Sequence, residues 1–90
     1  MGFLKFDLGK QKTGRVVKIT LSGSIANVLL LNNSNMYNYE HGHEYTSIGG
    51  LVNKALVEMK IPGNDHWFIV VDKKGLTGAE GKTDASVNLV

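Results

Sequence analysis

The 90-residue chain contains no cysteine and a single proline. Without cysteine there is no disulfide framework, no thiolate metal site and no cysteine nucleophile, which removes several enzyme classes together and fits a reducing compartment. Proline is rare and the charged residues, 20% of the chain, are scattered, so neither the composition nor the charge pattern is that of a disordered segment. The longest run of large apolar residues, Trp67 to Val71, is far too short to span a bilayer. Met1 to Asp7 has neither a long apolar run nor a small-residue cleavage site, and Phe6 stands where N-myristoylation needs Ser or Thr. A cytoplasmic protein without a membrane partner is therefore expected. Asn32-Asn33-Ser34 is formally a glycosylation sequon, which has no meaning without secretion.

What is present suits one folded domain over residues 1–90. Apolar residues make up 42% of the chain, enough for a single core at this length. The net charge of +2 is unevenly spread, with Lys5, Lys10, Lys12, Arg15 and Lys18 set against Asp7 near the N-terminus. Such a basic segment attracts polyanions only if its charges share a face, and on a strand Arg15 and Lys18 face opposite ways.

The stretch organising the chain is His66-Trp67-Phe68-Ile69-Val70-Val71-Asp72. Trp67, Ile69 and Val71 point one way and Phe68 and Val70 the other, so this strand belongs in the interior, covered by sheet on both sides. Ile25 to Leu31, apolar except at Asn27, reads as a second interior strand. Phe3 to Leu8 and Arg15 to Ser22 alternate as half-buried strands, and Ala85 to Val90 gives a last one with Val87 and Leu89 on one face. The short Ser22-Gly23-Ser24 link predicts a hairpin between the strands it joins.

Leu51 to Ile61 fits both a helical face and a strand alternation; Val57 to Ile61 is the clearer pattern, and strand is preferred. Asn32 to Gly50 reads as a long excursion rich in asparagine and tyrosine, with a helical turn near residues 34–39 capped by Ser34. Lys73-Lys74-Gly75 reads as a turn. The expected fold is all-β, an antiparallel sandwich or small barrel of about six to seven short strands.

Val17 to Gly23 leads into Ala26-Asn27-Val28, then Asn35 with Tyr39, Gly42, Tyr45 and Gly49-Gly50. Pro62, His66-Trp67, Val71-Asp72 and Gly75 complete the series. In this order the residues resemble a family of short bacterial proteins described as domain of unknown function 1883, over nearly the whole chain. The resemblance implies a compact β-rich domain and a strand over Leu51 to Ile61. Some relatives are joined to TIR signalling domains, which implies a sensing or partner-binding role. It implies no catalytic residue. The chain departs from the pattern at Met36, where an aromatic is expected, and His41-Gly42-His43 is not part of it.

Three functional readings follow from the residues. The first is a non-catalytic binding or interaction module that takes a protein partner or a polar small molecule on loop 32–50. There Asn35 offers amide donors and acceptors, and Tyr37, Tyr39 and Tyr45 offer stacking rings with a hydroxyl. The second is a small metal-dependent enzyme with His41, His43 and His66 as ligands, the adjacent Glu40, Glu44 and Asp65 as carboxylate ligands, and Glu40 or Glu44 as base. The third is a weak polyanion binder through Lys10, Lys12 and Arg15, with nucleic acid not expected. Gly75 to Thr83 ends like a phosphate loop, but Leu76 replaces a required glycine and no helix follows. No cofactor is expected.

Overall fold

A computed structural model describes residues 3–23, 25–73 and 83–90. Residues 74–82, which hold most of the expected turn after Asp72 and of the phosphate-loop-like stretch, lie outside the described residues, as does Ser24. In chain order the elements are β1 (Phe3–Gln11), β2 (Val16–Gly23), β3 (Ala26–Asn32), α1 (Asn33–Glu40), β4 (Ile48–Val52), β5 (Leu56–Lys60), β6 (Asp65–Asp72) and β7 (Thr83–Leu89). They form two antiparallel sheets, one ordered β1-β6-β3-β4 and the other β5-β2-β7. The fold is thus the expected small sandwich, not a closed barrel. No helix among the described residues is long and apolar enough to cross a membrane.

The two runs that are apolar on both faces are neighbours at the centre of the larger sheet, where Leu30 pairs with Ile69 and Val28 with Val71. Trp67, Ile69, Val71, Val28 and Leu30 face the smaller sheet and pack on Val17, Ile19, Leu21, Met59 and Ile61. The opposite face presents Leu29, Leu31, Phe68 and Val70, which α1 covers with Met36 and Tyr39. Here the structure corrects the expectation of sheet on both sides of the Trp67 strand: one cover is a sheet and the other is a helix. A two-layer sandwich leaves its outer faces wet, and two adjacent strands apolar on both sides need this third layer.

The hairpin expected between the second and third strands is not formed. β2 pairs with β5 and β7, whereas β3 pairs with β4 and β6, so the two consecutive strands belong to different sheets. Leu51 to Ile61 is extended, as preferred, but divides at Asn53-Lys54-Ala55 into β4 and β5, which belong to different sheets. The helix is longer than one turn and is capped by Asn32 in place of Ser34, the Asn32 side chain accepting the Asn35 N–H. The excursion also ends earlier than expected, since β4 starts at Ile48.

Gly49 lies where β4 meets β3. Its φ is +105°, and a Cβ there would overlap the Val28 carbonyl oxygen and come within 2.6 Å of Met59 Cε. Gly49→Ala is therefore expected to destabilise the fold by about 1–2 kcal/mol from backbone handedness alone, with the overlap adding to it. At Gly63 a Cβ meets nothing within 4 Å, so Gly63→Ala serves as the control. Thermal melts should show a drop of at least roughly 4 °C at Gly49 and little change at Gly63. Equal melting temperatures for the two variants would contradict the packing described.

Candidate functional site

Helix α1 and the segment after it carry most of the sequence-predicted ligand residues, and the structure gives them different jobs. Asn35 donates its N–H and its Nδ2 to Asn32 Oδ1 at 3.0 and 2.8 Å, and its Oδ1 accepts the Thr46 N–H at 2.8 Å. It ties the start of the helix to the segment that returns to β4. Tyr39 is buried, with its hydroxyl donating to Asp72 Oδ2 and its ring edge-on to Phe3 and Tyr45, each at 5.2 Å. Burial first, and the Asp72 carboxylate second, push the Tyr39 hydroxyl pKa well above its ordinary value. Tyr45 and Tyr37 are exposed.

Tyr37 stacks on His41 with centroids 4.0 Å apart, and His41 Nδ1 lies 2.8 Å from the Tyr37 carbonyl oxygen. The His41 and His43 rings are 6.2 Å apart. His66 sits elsewhere, at the start of β6, stacked on Phe68 at 4.8 Å with Nε2 2.5 Å from Asp7 Oδ1. Among the described residues no three His, Asp or Glu side chains converge in a way that could hold a metal ion.

A different grouping emerges beside the start of α1. Antiparallel pairing of β1 with β6 sets Lys10 against His66 and Gln11 against Asp65. The register shifts between Asp7 and Gly9, a bulge in which Asp7 Oδ1 accepts the Gly9 N–H at 2.8 Å and Gly9 takes a φ of +72°. Such a bulge re-aims the end of a strand. The β1–β2 turn is pinned across to the β5–β6 link, where Asn64 Oδ1 accepts the Thr13 N–H at 2.9 Å and the Thr13 hydroxyl at 3.2 Å. Asp65 accepts the His66 N–H and the Asn32 amide, which brings the helix start against the same corner.

The result is a cleft of about 570 Å³ lined by Lys10, Gln11, Lys12, Asn33, Asn64, Asp65 and His66. It is larger than two clefts near the β4–β5 link, of about 340 and 300 Å³. Among the described residues neither Lys10 nor Lys12 has an acidic partner. The only carboxylate in the lining is Asp65. At the edge of the site the Gly9 N–H, and after it the hydrogen bond from His66, hold the Asp7 carboxyl below its usual value. Chemically the cleft offers two ammonium groups, three side-chain amides and an imidazole. That set suits a polar molecule bearing negative charge.

Sequence reasoning singled out Lys10, Lys12 and His66, but in separate readings, and the structure brings them together. Arg15 does not line the cleft. Asp65 entered the metal reading and Asn33 the asparagine-rich excursion, while Asn64 was read only as part of a turn; none was placed with Lys10, which they meet only through the pairing of β1 with β6. The local signal was confined to Asp7-Leu8-Gly9, where a short acceptor precedes a glycine that permits the bulge.

A family model described as Domain of unknown function (DUF1883) matches residues 1–90. Neither the curated proteins nor the solved structures contain a match to the chain.

Proposed function

We propose, for a chain that belongs to the DUF1883 family along residues 1–90, that it is a non-catalytic binding module whose ligand is a small polar molecule carrying an anionic group. The ligand occupies the cleft beside the start of α1. The observation that carries this reading is that Lys10 and Lys12, without acidic partners among the described residues, open with Gln11, Asn33 and Asn64 onto a cleft of ligand size. Lysine ammonium groups act as mobile point charges, and the amides add directional donors that a merely basic surface lacks. In this reading the domain works in the bacterial cytoplasm, in keeping with its cysteine-free composition. Occupancy of the cleft is then the input of a sensing or interaction role.

Pyrophosphate is a suitable probe because its size and charge match two lysines and an amide set. Amide chemical shifts on titration should move at residues 10–12, 33 and 64–66, and weaken as salt screens the charges. Lys10→Glu/Lys12→Glu is expected to reduce the affinity at least about tenfold, since two attractions become repulsions. Glucose, which is neutral, should not bind measurably. Shifts spread evenly over all lysines, or an unchanged affinity in the double variant, would reject the cleft as the site.

A second reading has one observation in its favour. Tyr37, 56% exposed, forms a stacked pair with His41 beside His43 on the outer side of α1. An exposed aromatic surface of this kind suits a protein partner. Tyr37→Ala should leave pyrophosphate binding intact, which separates the two surfaces.

A further inference from the structure

The groups that open onto the Lys10–His66 cleft are of two kinds. Lys10, Lys12 and Asn64 supply donors: neither ammonium has an acidic partner among the described residues, and Asn64, whose Oδ1 takes the Thr13 N–H and hydroxyl, keeps its Nδ2 for a ligand. Gln11 and Asp65 supply acceptors. The Gln11 Nε2 donates to the Leu8 carbonyl at 2.6 Å, which leaves Oε1 as the open end of that amide. Asp65 takes the His66 N–H on Oδ1 at 2.7 Å and the Asn32 Nδ2 on Oδ2 at 3.3 Å, so each oxygen keeps accepting capacity. Pairing of β1 with β6 sets Gln11 against Asp65, one step along from Lys10 against His66, so the acceptors stand together beside the cations.

An anion made only of oxygen acceptors satisfies the first kind of group and is repelled by the second. At about 570 Å³ the cleft also holds far more than one phosphate group, so the space beyond the lysines takes the rest of a molecule. That remainder has to bring O–H or N–H donors to Gln11 and Asp65, because an acceptor covered without a partner costs binding energy. A nucleobase brings donors, but it also brings a flat face that calls for a ring to stack on. His66 is the sole ring in the lining, and it is already engaged, stacked on Phe68 with centroids 4.8 Å apart and tied to Asp7 through Nε2.

We infer that the ligand is a sugar phosphate, its phosphate held by Lys10 and Lys12 and its hydroxyls donating to Gln11 and Asp65. This rests on the anion-binding reading of the cleft and narrows it. A phosphate monoester carries about 1.5–2 negative charges at pH 7, which two ammonium groups balance. Hydroxyls both donate and accept, so the same body that serves Asp65 also takes the Asn64 Nδ2. Asp65 then sets the specificity, since it disfavours a bare polyanion where it holds a polyol.

Calorimetric titration at neutral pH compares glucose 6-phosphate with cyclohexyl phosphate, a ring of similar size on the same monoester group but without hydroxyls. Glucose 6-phosphate should bind at least about tenfold more tightly. In Asp65→Asn, which keeps the shape and an acceptor for the His66 N–H, that preference should shrink to about threefold or less, while pyrophosphate binds more tightly than it does to the wild type because a repulsion is gone. A merely structural Asp65 would weaken every ligand alike. Equal affinities of the wild type for the two monoesters overturn the inference, as does an unchanged preference in Asp65→Asn or AMP bound more tightly than glucose 6-phosphate. If pyrophosphate still moves the amide shifts of residues 10–12, 33 and 64–66 in that event, the cleft stands as an anion site and only the sugar is lost. Silence toward pyrophosphate and both monoesters overturns the two readings together.

Discussion

Trp67→Ala is expected to lower the stability by about 3–5 kcal/mol. A domain of this size has a total of about 5–15 kcal/mol, so the variant loses much of its margin and can fall below the folding threshold at physiological temperature. Trp67 is 7% exposed and lies in the core between the sheets with Ile69 and Val71, both more deeply buried. Truncation removes the ring and leaves a cavity that neighbours in two hydrogen-bonded sheets cannot collapse to fill. It also removes the indole N–H that donates to the Gly63 carbonyl at 2.8 Å and holds the β5–β6 link. Trp67→Phe keeps a ring but not that donor and should be the milder change. Urea denaturation followed by circular dichroism measures both, since Trp67 is the single tryptophan and its fluorescence disappears with it. A loss below about 1 kcal/mol in Trp67→Ala would place the residue outside the core.

Asp72→Ala should have the next largest effect. Asp72 is 5% exposed; its Oδ1 accepts the Asn27 Nδ2 at 3.0 Å and its Oδ2 accepts the Tyr39 hydroxyl. These bonds fasten α1 to the outer face of β6 and β3. Removing the carboxylate takes away both of these charge-assisted bonds, each worth roughly 1.5–3 kcal/mol, so a loss of about 2–4 kcal/mol is expected. Tyr39→Phe keeps the ring among Phe3, Tyr45 and Met36 and should cost less. It should also change the response to alkali. The Tyr39 proton is held more tightly in the folded chain than at the ordinary value of 10.0, because ionisation would put a charge in a buried place beside a carboxylate. The contribution is fully present below pH 10 and declines as pH rises above it, since only the unfolded chain then gives up the proton easily. Denaturation midpoints from neutral pH to about 11 should therefore fall less steeply in Tyr39→Phe than in the wild type. Parallel curves would detach the hydroxyl from the buried network.

The sequence disclosed those parts of the fold that local pattern determines. The continuous apolar runs at β3 and β6 announced interior strands, and the alternations of Val57 with Met59 and of Val87 with Leu89 announced half-buried ones. Pattern alone does not say whether two consecutive strands lie side by side or face to face. Val17, Ile19 and Leu21 on β2 turn inward in either arrangement, and here they meet Val28 and Leu30 across the core. The length of α1 was obscured by asparagine and tyrosine, which are indifferent helix formers. The clue was the spacing of Met36 and Tyr39, together with two interior strands whose outer apolar faces needed a cover. The cleft was the least visible, because residues 10–12, 33 and 64–66 become neighbours only when the sheet closes.

The crossing of the chain from sheet to sheet bears on how it folds. β1 has its partner in β6, and β2 completes its pairing only with β7, so each waits for a strand far along the chain. Closing such long loops is entropically unfavourable until the distant strand arrives, which places folding toward the milliseconds-to-seconds end and discourages stable half-built species. Until β6 reaches it, β1 has no strand partner, and Lys5, Asp7 and Lys10 along it disfavour pairing with another chain.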